Sequence, residues 1–264
     1  MGGHVVLDAG EDAADLPVPG WAFSGYFVVE RFLDAAQTAS VLARIEDYVA
    51  THELPLVHRE HARRELHYRV IDGLRVERDL TALQPLCADV KGRVEARLGV
   101  RLGLLADRRV AVNVNVTPPG GSYRWHYDRN PVTALLYLNA VEGGALEVCP
   151  NYRLSTGRHS GVLGRAADRV LQSEPVRRRI GHTVSLTPRP GDLVVMRGDR
   201  CLHSVSEVTG PHDRVNLVIS FDDAERPRVQ AQDGDELDTY LYSQDQVRSA
   251  DPNYRSPGQA PGRP

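Results

Sequence analysis

From Arg109 onward the chain adopts a period of two. Val110, Val112, Val114 and Val116 fall on one side of an extended backbone, and Ala111, Asn113, Asn115 and Thr117 on the other. Pro118, Pro119, Gly120 and Gly121 then force a turn. Strand-like runs rich in β-branched and aromatic residues follow at 122–128, 132–139, 145–149, 183–187, 192–196, 201–208 and 214–221. Between them stand turn signals such as Glu142-Gly143-Gly144, Pro188 through Gly191, and Gly210-Pro211. Many short strands with such punctuation bury their apolar sides by closing into a β-sandwich or barrel.

The residues before this region read differently. Gly25 to Phe32 (GYFVVERF) forms a short strand, and Asp34 caps a helix carrying Leu42, Ile45 and Val49, with Val41 beside them. Leu83, Leu86, Cys87, Val90, Val94 and Leu98 make a second amphipathic helix closed by Gly99. Residues 52–79 hold four histidines among many arginines and show no clean period. The expected fold is therefore mostly β with flanking helices, the core spanning about 105–225. An Arg-rich insert at about 151–182, with a short helix near 163–172, interrupts the strands. Residues 1–19 are expected to be loose, 20–225 to form one domain, and 226–264 to be a partly disordered extension.

The segment Tyr123-Arg124-Trp125-His126-Tyr127-Asp128 carries the chemistry. On a strand, positions i and i+2 share a face, so His126 and Asp128 lie side by side. One imidazole and one carboxylate are two thirds of a facial triad, the ligand set that suits non-heme Fe(II). The third ligand should be a histidine on a distant strand, and His203, in GDLVVMRGDRCLHSVSEV, is the best candidate. Eleven residues later Arg214 opens RVNLVISFD, where Arg214, Asn216, Val218 and Ser220 share one face. An arginine there can clamp a carboxylate through two parallel hydrogen bonds. If the valine side of strand 110–116 packs on the helices, Asn113 and Asn115 face the lumen, and Asn216 shares it. Thr133 and Tyr137 are candidates to offer a hydroxyl to a keto acid. Trp125 and Tyr127 alternate with the ligands and should face away from the metal unless a bulge re-aims them. Arg153, Arg158 and Arg165 of the insert could form a lid that recognises a carboxylate or phosphate.

His126-x-Asp128, then His203, then Arg214, resembles the Fe(II)/2-oxoglutarate-dependent oxygenases built on a double-stranded β-helix, or jelly-roll, core. The resemblance covers roughly residues 22–225. The Trp-His-aromatic segment, and Gly143-Gly144 with a strand closing on Pro150-Asn151, resemble the branch that contains free-amino-acid halogenases and related hydroxylases. Those halogenases have a small residue where this chain has Asp128, which here fills the position chloride would take. The resemblance implies Fe(II) held by His126, Asp128 and His203. It also implies 2-oxoglutarate bound through Arg214 with help from Thr133 or Tyr137, and O2 as co-substrate. Hydroxylation, desaturation or cyclisation of a small polar metabolite, a free amino acid or a specialised-metabolite intermediate, is the implied reaction. Asn113, Asn115, Asn216 and Arg153 are then the candidate substrate contacts.

Other readings compete. A His-x-Asp alone is common by chance, and two histidines can be hydrogen-bonded core residues. A cupin-like isomerase or hydrolase, or a non-catalytic jelly-roll binding module, would share the pattern. His58 and His61 could pair on a helix, though a solvated charged face is the plainer reading. His67, Tyr68 and Arg69 read as loop packing, His182 and His212 as surface residues, and Cys201 as a small buried filler. Lys plus Arg is 32 against 35 for Asp plus Glu, a formal charge of −3, which argues against a nucleic-acid partner. No apolar run approaches the roughly 18 residues a membrane helix needs. Neither a signal-peptide pattern nor a cysteine framework is visible, so a cytoplasmic location is expected.

Overall fold

In the computed structural model, the described residues are 25–54, 56–61, 64–128, 130–153, 170–171 and 173–227. The elements in chain order are β1 (Tyr26–Val29), α1 (Ala35–Thr51), β2 (Leu56–His61), β3 (Arg64–Ile71), α2 (Gly73–Asp79), α3 (Gln84–Leu98), β4 (Leu102–Leu104), α4 (Arg108–Ala111), β5 (Val112–Thr117), β6 (Tyr123–His126), β7 (Val132–Tyr137), β8 (Leu146–Cys149), α5 (Glu174–Ile180), β9 (Val184–Leu186), β10 (Leu193–Met196), β11 (Leu202–Val205) and β12 (Arg214–Asp223). The strands lie in the antiparallel order β1-β10-β7-β12-β5-β3-β6-β11-β8-β9. Between β3 and β6 the one register pair among the described residues is Leu66 with Tyr123. That thin seam separates a large sheet, β1 through β3, from a small one, β6 through β9. The two face each other as the two sides of a jelly roll.

Alternation along β5, β7 and β12 sorts their residues into two cores. Val112, Val114, Val116, Leu136, Leu217, Ile219 and Phe221 pack against Ile45, Tyr48, Val90 and Val94 of α1 and α3. Leu135, Tyr137, Val194, Met196 and Val218 point the other way and meet Leu146, Val148 and Cys201 of the small sheet. The first core fixes the large sheet on its helices. The second lines the lumen between the sheets.

The helix ends follow local chemistry. Asp34 accepts from the Gln37 N–H while the Gln37 side chain returns to the Asp34 N–H, a capping box at the start of α1. Gly99 closes α3 at φ +63°, where a side chain would be strained. Both helices are those expected from apolar spacing.

The expectations for Val110 and for residues 52–79 need correction. Val110 is helical, because Asp107 caps a short α4 by accepting from the Arg109 N–H, and the strand starts at Val112. Within residues 52–79 the described residues form β2 and β3, paired antiparallel, and α2. There β3 joins the large sheet beside β5, so Tyr68 is a sheet residue and His58 and His61 lie on a strand and not a helix. Of the expected helix near 163–172, only 170–171 are described. Arg158, Arg165, residues 1–19 and nearly all of the stretch from 226 lie outside the described residues. None of the described helices is long and apolar enough to cross a membrane.

Candidate active site

The small sheet brings the two histidines together. His126, the last residue of β6, stands directly opposite His203 on β11, and their ring centroids are 4.1 Å apart. Asp128 lies just beyond the strand. Its Oδ1 is 3.4 Å from Nε2 of His126 and 3.5 Å from Nε2 of His203. The three side chains offer ligand atoms within 4.8 Å of one another, the one such group of three among the described residues.

Hydrogen bonds set the tautomers. Nδ1 of His126 lies 2.8 Å from the Arg124 carbonyl, and Nδ1 of His203 lies 3.0 Å from the Cys201 carbonyl. A carbonyl only accepts, so each Nδ1 carries a proton, and in the neutral ring Nε2, the nitrogen on the Asp128 side, is the one left to bind a metal. Metal-ligating histidines are oriented in this way by a partner on the second ring nitrogen.

The charges are coupled. Burial and the adjacent His203 push His126 below the ordinary imidazole range. Burial alone would lower His203 as well, but Asp128 outweighs it and holds His203 above that range. Burial would raise Asp128, yet the two imidazoles, His203 first, keep it well below the usual carboxylate range. The result is an ionised acid between two rings, a donor set of two nitrogens and one oxygen that fits a divalent transition metal.

A bulge re-aims the strand. The register shifts by one residue between the His203–His126 and Val205–Tyr123 pairs. Tyr123 thereby joins the side of His126, with ring centroids 4.5 Å apart, and Tyr68 stands 5.2 Å behind Tyr123. Neither tyrosine is legible from strict alternation, since Tyr123 stands three positions before His126, an odd offset that would put it on the opposite face. Trp125 stacks under the Arg177 guanidinium at 3.9 Å, and Tyr127 under that of Arg153 at 5.0 Å. Arg153 also donates to the Asp199 carbonyl.

The opposite wall is the lumen side of the large sheet. Register aligns Asn115, Asn216 and Tyr137 in one row, and Asn113, Val218 and Leu135 in the next. Arg214 is 3 % exposed. It donates to Asn216 Oδ1 at 2.8 Å and to the Tyr137 hydroxyl at 3.1 Å, while its Nε has no partner. Both partners are neutral, so this buried cation has no carboxylate beside it among the described residues. Oδ1 of Asn113 and of Asn115 are buried and likewise unpartnered. Thr133, expected to offer its hydroxyl to a keto acid, donates instead to Asp128 Oδ2. Cys201 is the small filler expected. Its thiol donates to the Gly25 carbonyl at 3.2 Å, and burial pushes it up to about 12.

Residues 112–222 match the model of the 2OG-Fe(II) oxygenase superfamily. No curated protein sequence matches the chain. Among solved structures, one similar fold is SnoK, a non-heme alpha-ketoglutarate-dependent carbocyclase from nogalamycin biosynthesis. It has TM-score 0.61 and 18% identity, covering 88% of this chain and 92% of that one. A second is the epimerase SnoN in complex with Fe3+, alpha-ketoglutarate and nogalamycin RO, with TM-score 0.58 and 18% identity over 81% of this chain and 89% of that one. A third is a prolyl hydroxylase from Trichoplax adhaerens in complex with a peptide fragment, with TM-score 0.53 and 17% identity over 76% and 84%. At these identities the likeness establishes a shared fold. The strands that carry the triad and Arg214 lie within residues 112–222, the stretch that matches the 2OG-Fe(II) oxygenase superfamily.

Proposed function

We propose that the protein is an Fe(II)- and 2-oxoglutarate-dependent oxygenase that hydroxylates, desaturates or cyclises a small polar metabolite. The observation that carries this reading is the convergence of Nε2 of His126, Nε2 of His203 and Oδ1 of Asp128. Its neighbours in fold include a carbocyclase, an epimerase and a prolyl hydroxylase, so the superfamily alone does not select the reaction.

His126, Asp128 and His203 would hold Fe(II) on one face and leave the other free for co-substrate and O2. Bound there, iron with 2-oxoglutarate supplies the oxidation, and 2-oxoglutarate is decarboxylated to succinate. This chain's residues do the rest. Arg214 and the Tyr137 hydroxyl present donors to the far carboxylate of 2-oxoglutarate, the anion that a buried, otherwise uncompensated guanidinium requires. The apolar lumen side chains Leu135, Val218 and Met196 exclude water from the space between. Asn113, Asn115 and Asn216 line the same wall and are the proposed polar contacts for substrate. Arg153 lies over Tyr127 and is the proposed contact from the insert.

The test is an aerobic assay with Fe(II), 2-oxoglutarate and metabolite mixtures, read by succinate formation and by mass spectrometry for gain of oxygen or loss of two hydrogens. Succinate that depends on iron and on a metabolite supports the reading. Turnover that survives His126→Ala overturns it.

A further inference from the structure

Asp128 is gripped from two sides. Its backbone N–H donates to the Gly198 carbonyl at 2.9 Å, and its Oδ2 accepts the Thr133 hydroxyl hydrogen. Thr133 has a single hydrogen to give and is itself approached by Asn130 Nδ2 at 2.8 Å. Asn130, 5 % exposed, is fixed in turn by donating to the Val132 carbonyl. With its hydrogen committed to Asp128 and Asn130 on a lone pair, Thr133 has no donor left for a co-substrate.

Gly198 closes the other side at contact distance. A Cβ there would lie 2.6 Å from Thr133 Oγ1 and 2.7 Å from both Cβ and Oδ2 of Asp128. Only a glycine lets the β10–β11 turn approach the carboxylate this closely. That turn is braced from within. Arg197 pairs with Asp199 through Nε at 3.1 Å and through the second nitrogen at 3.4 Å, and both side chains are buried. The Arg197 carbonyl also receives the Cys201 N–H at 2.8 Å, two residues before His203.

We infer that Thr133 and Gly198 are positioning residues for the metal site. They clamp Asp128 so that Oδ1 alone faces the two imidazoles while Oδ2 is tied to the protein. The inference rests on the metal-site reading above. Its chemical consequence follows from the ligand count. A carboxylate free to turn could chelate through both oxygens and take a position that the co-substrate needs, whereas a tethered one cannot.

The experiment is Mn(II) titration, followed by electron paramagnetic resonance, on the full-length wild type, Thr133→Val, Thr133→Ala, Thr133→Ser, Gly198→Ala and His126→Ala. Metal-free thermal melts report folding. Loss of such an orienting partner weakens metal binding by roughly 10- to 100-fold. Thr133→Val and Thr133→Ala should show that loss and an altered Mn(II) line shape while melting cooperatively. Thr133→Ser, which keeps the hydroxyl, should recover most of the affinity and the wild-type line shape. Gly198→Ala should resemble Thr133→Val. If one hydroxyl-free variant does not fold, the other decides. Wild-type affinity and line shape in a folded hydroxyl-free variant would overturn the inference and leave the metal site standing. Failure of the wild type to bind Mn(II), or unaltered binding by His126→Ala, would overturn the metal-site reading itself.

Discussion

His126 and His203 occupy directly opposed positions on β6 and β11, and each ring is pinned through Nδ1 to the carbonyl two residues earlier in its own chain segment. Each strand therefore sets its own histidine, and the pairing between strands sets their separation. Replacing either by alanine removes one of three ligands without touching the register. His203→Ala should abolish measurable Mn(II) binding and succinate formation while the metal-free protein still melts cooperatively. Residual binding close to wild type in calorimetric titration would contradict the assignment.

The charge coupling gives opposite pH dependences with and without metal. His203 sits above its ordinary value of about 6.5 because of Asp128, which outweighs the burial penalty. In the metal-free protein this attraction is fully present below that ordinary value and is lost as pH rises through the raised one. Asp128 is depressed, so its contribution is present above about 3.9 and is lost only as pH falls through its lower folded value. Metal needs the neutral ring and displaces the proton on His203. The thermal shift caused by Mn(II) should therefore grow as pH rises above the ordinary imidazole value of about 6.5, as metal-free stability declines. Calorimetry in two buffers of different ionisation enthalpy should detect proton release on binding. A buffer-independent heat would contradict the coupling.

Among the described residues Arg214 hydrogen-bonds only to neutral partners inside the lumen, which leaves its charge without a paired anion there. A charge-assisted hydrogen bond contributes about 1.5–3 kcal/mol, so Arg214→Ala should weaken 2-oxoglutarate binding by roughly 10- to 100-fold. Arg214→Lys keeps the charge and loses the planar fork, and should fall between. Metal affinity should hold in both. Titration of 2-oxoglutarate into Mn(II)-loaded protein checks this, and equal affinity in Arg214→Ala would assign the carboxylate to another residue.

The strands and the triad were legible in the sequence because each is written in local chemistry. The valines of β5 alternate, turn residues punctuate the runs, and His126-x-Asp128 needs only strand geometry to be read. The two helices were legible for the same reason, with Asp34 and Gly99 marking their ends. What stayed hidden depends on long-range pairing. β3 owes its place to its partner β5, and its sequence, RELHYRVI, has polar residues where an isolated strand would show alternation. The bulge that turns Tyr123 toward His126 comes from pairing with β11, and no residue in YRWH announces it. From sequence Thr133 is only a candidate hydroxyl for the co-substrate, alongside Tyr137. Its commitment to Asp128 depends on the turn after β7's neighbour β10, where Gly198 lies 65 residues away in sequence.

Asn113 offers the clearest trade between stability and function. It is 2 % exposed, its Oδ1 has no hydrogen-bond partner among the described residues, and it points into the lumen beside Val218 and Leu135. A buried acceptor without a donor costs about 1–3 kcal/mol, and the apolar neighbours Val218 and Leu135 suit a leucine, which has the same branched shape with bulkier ends. Asn113→Leu should therefore leave metal-free stability unchanged or raise it by about 1 kcal/mol. Mn(II) and 2-oxoglutarate affinities should hold, because the triad and Arg214 are untouched. Metabolite-dependent succinate formation should fall, because the acceptor that a substrate N–H or O–H would satisfy is gone. Differential scanning calorimetry and the coupled assay read the two effects separately. Lower stability with full turnover would mean that Asn113 serves the fold and not the substrate.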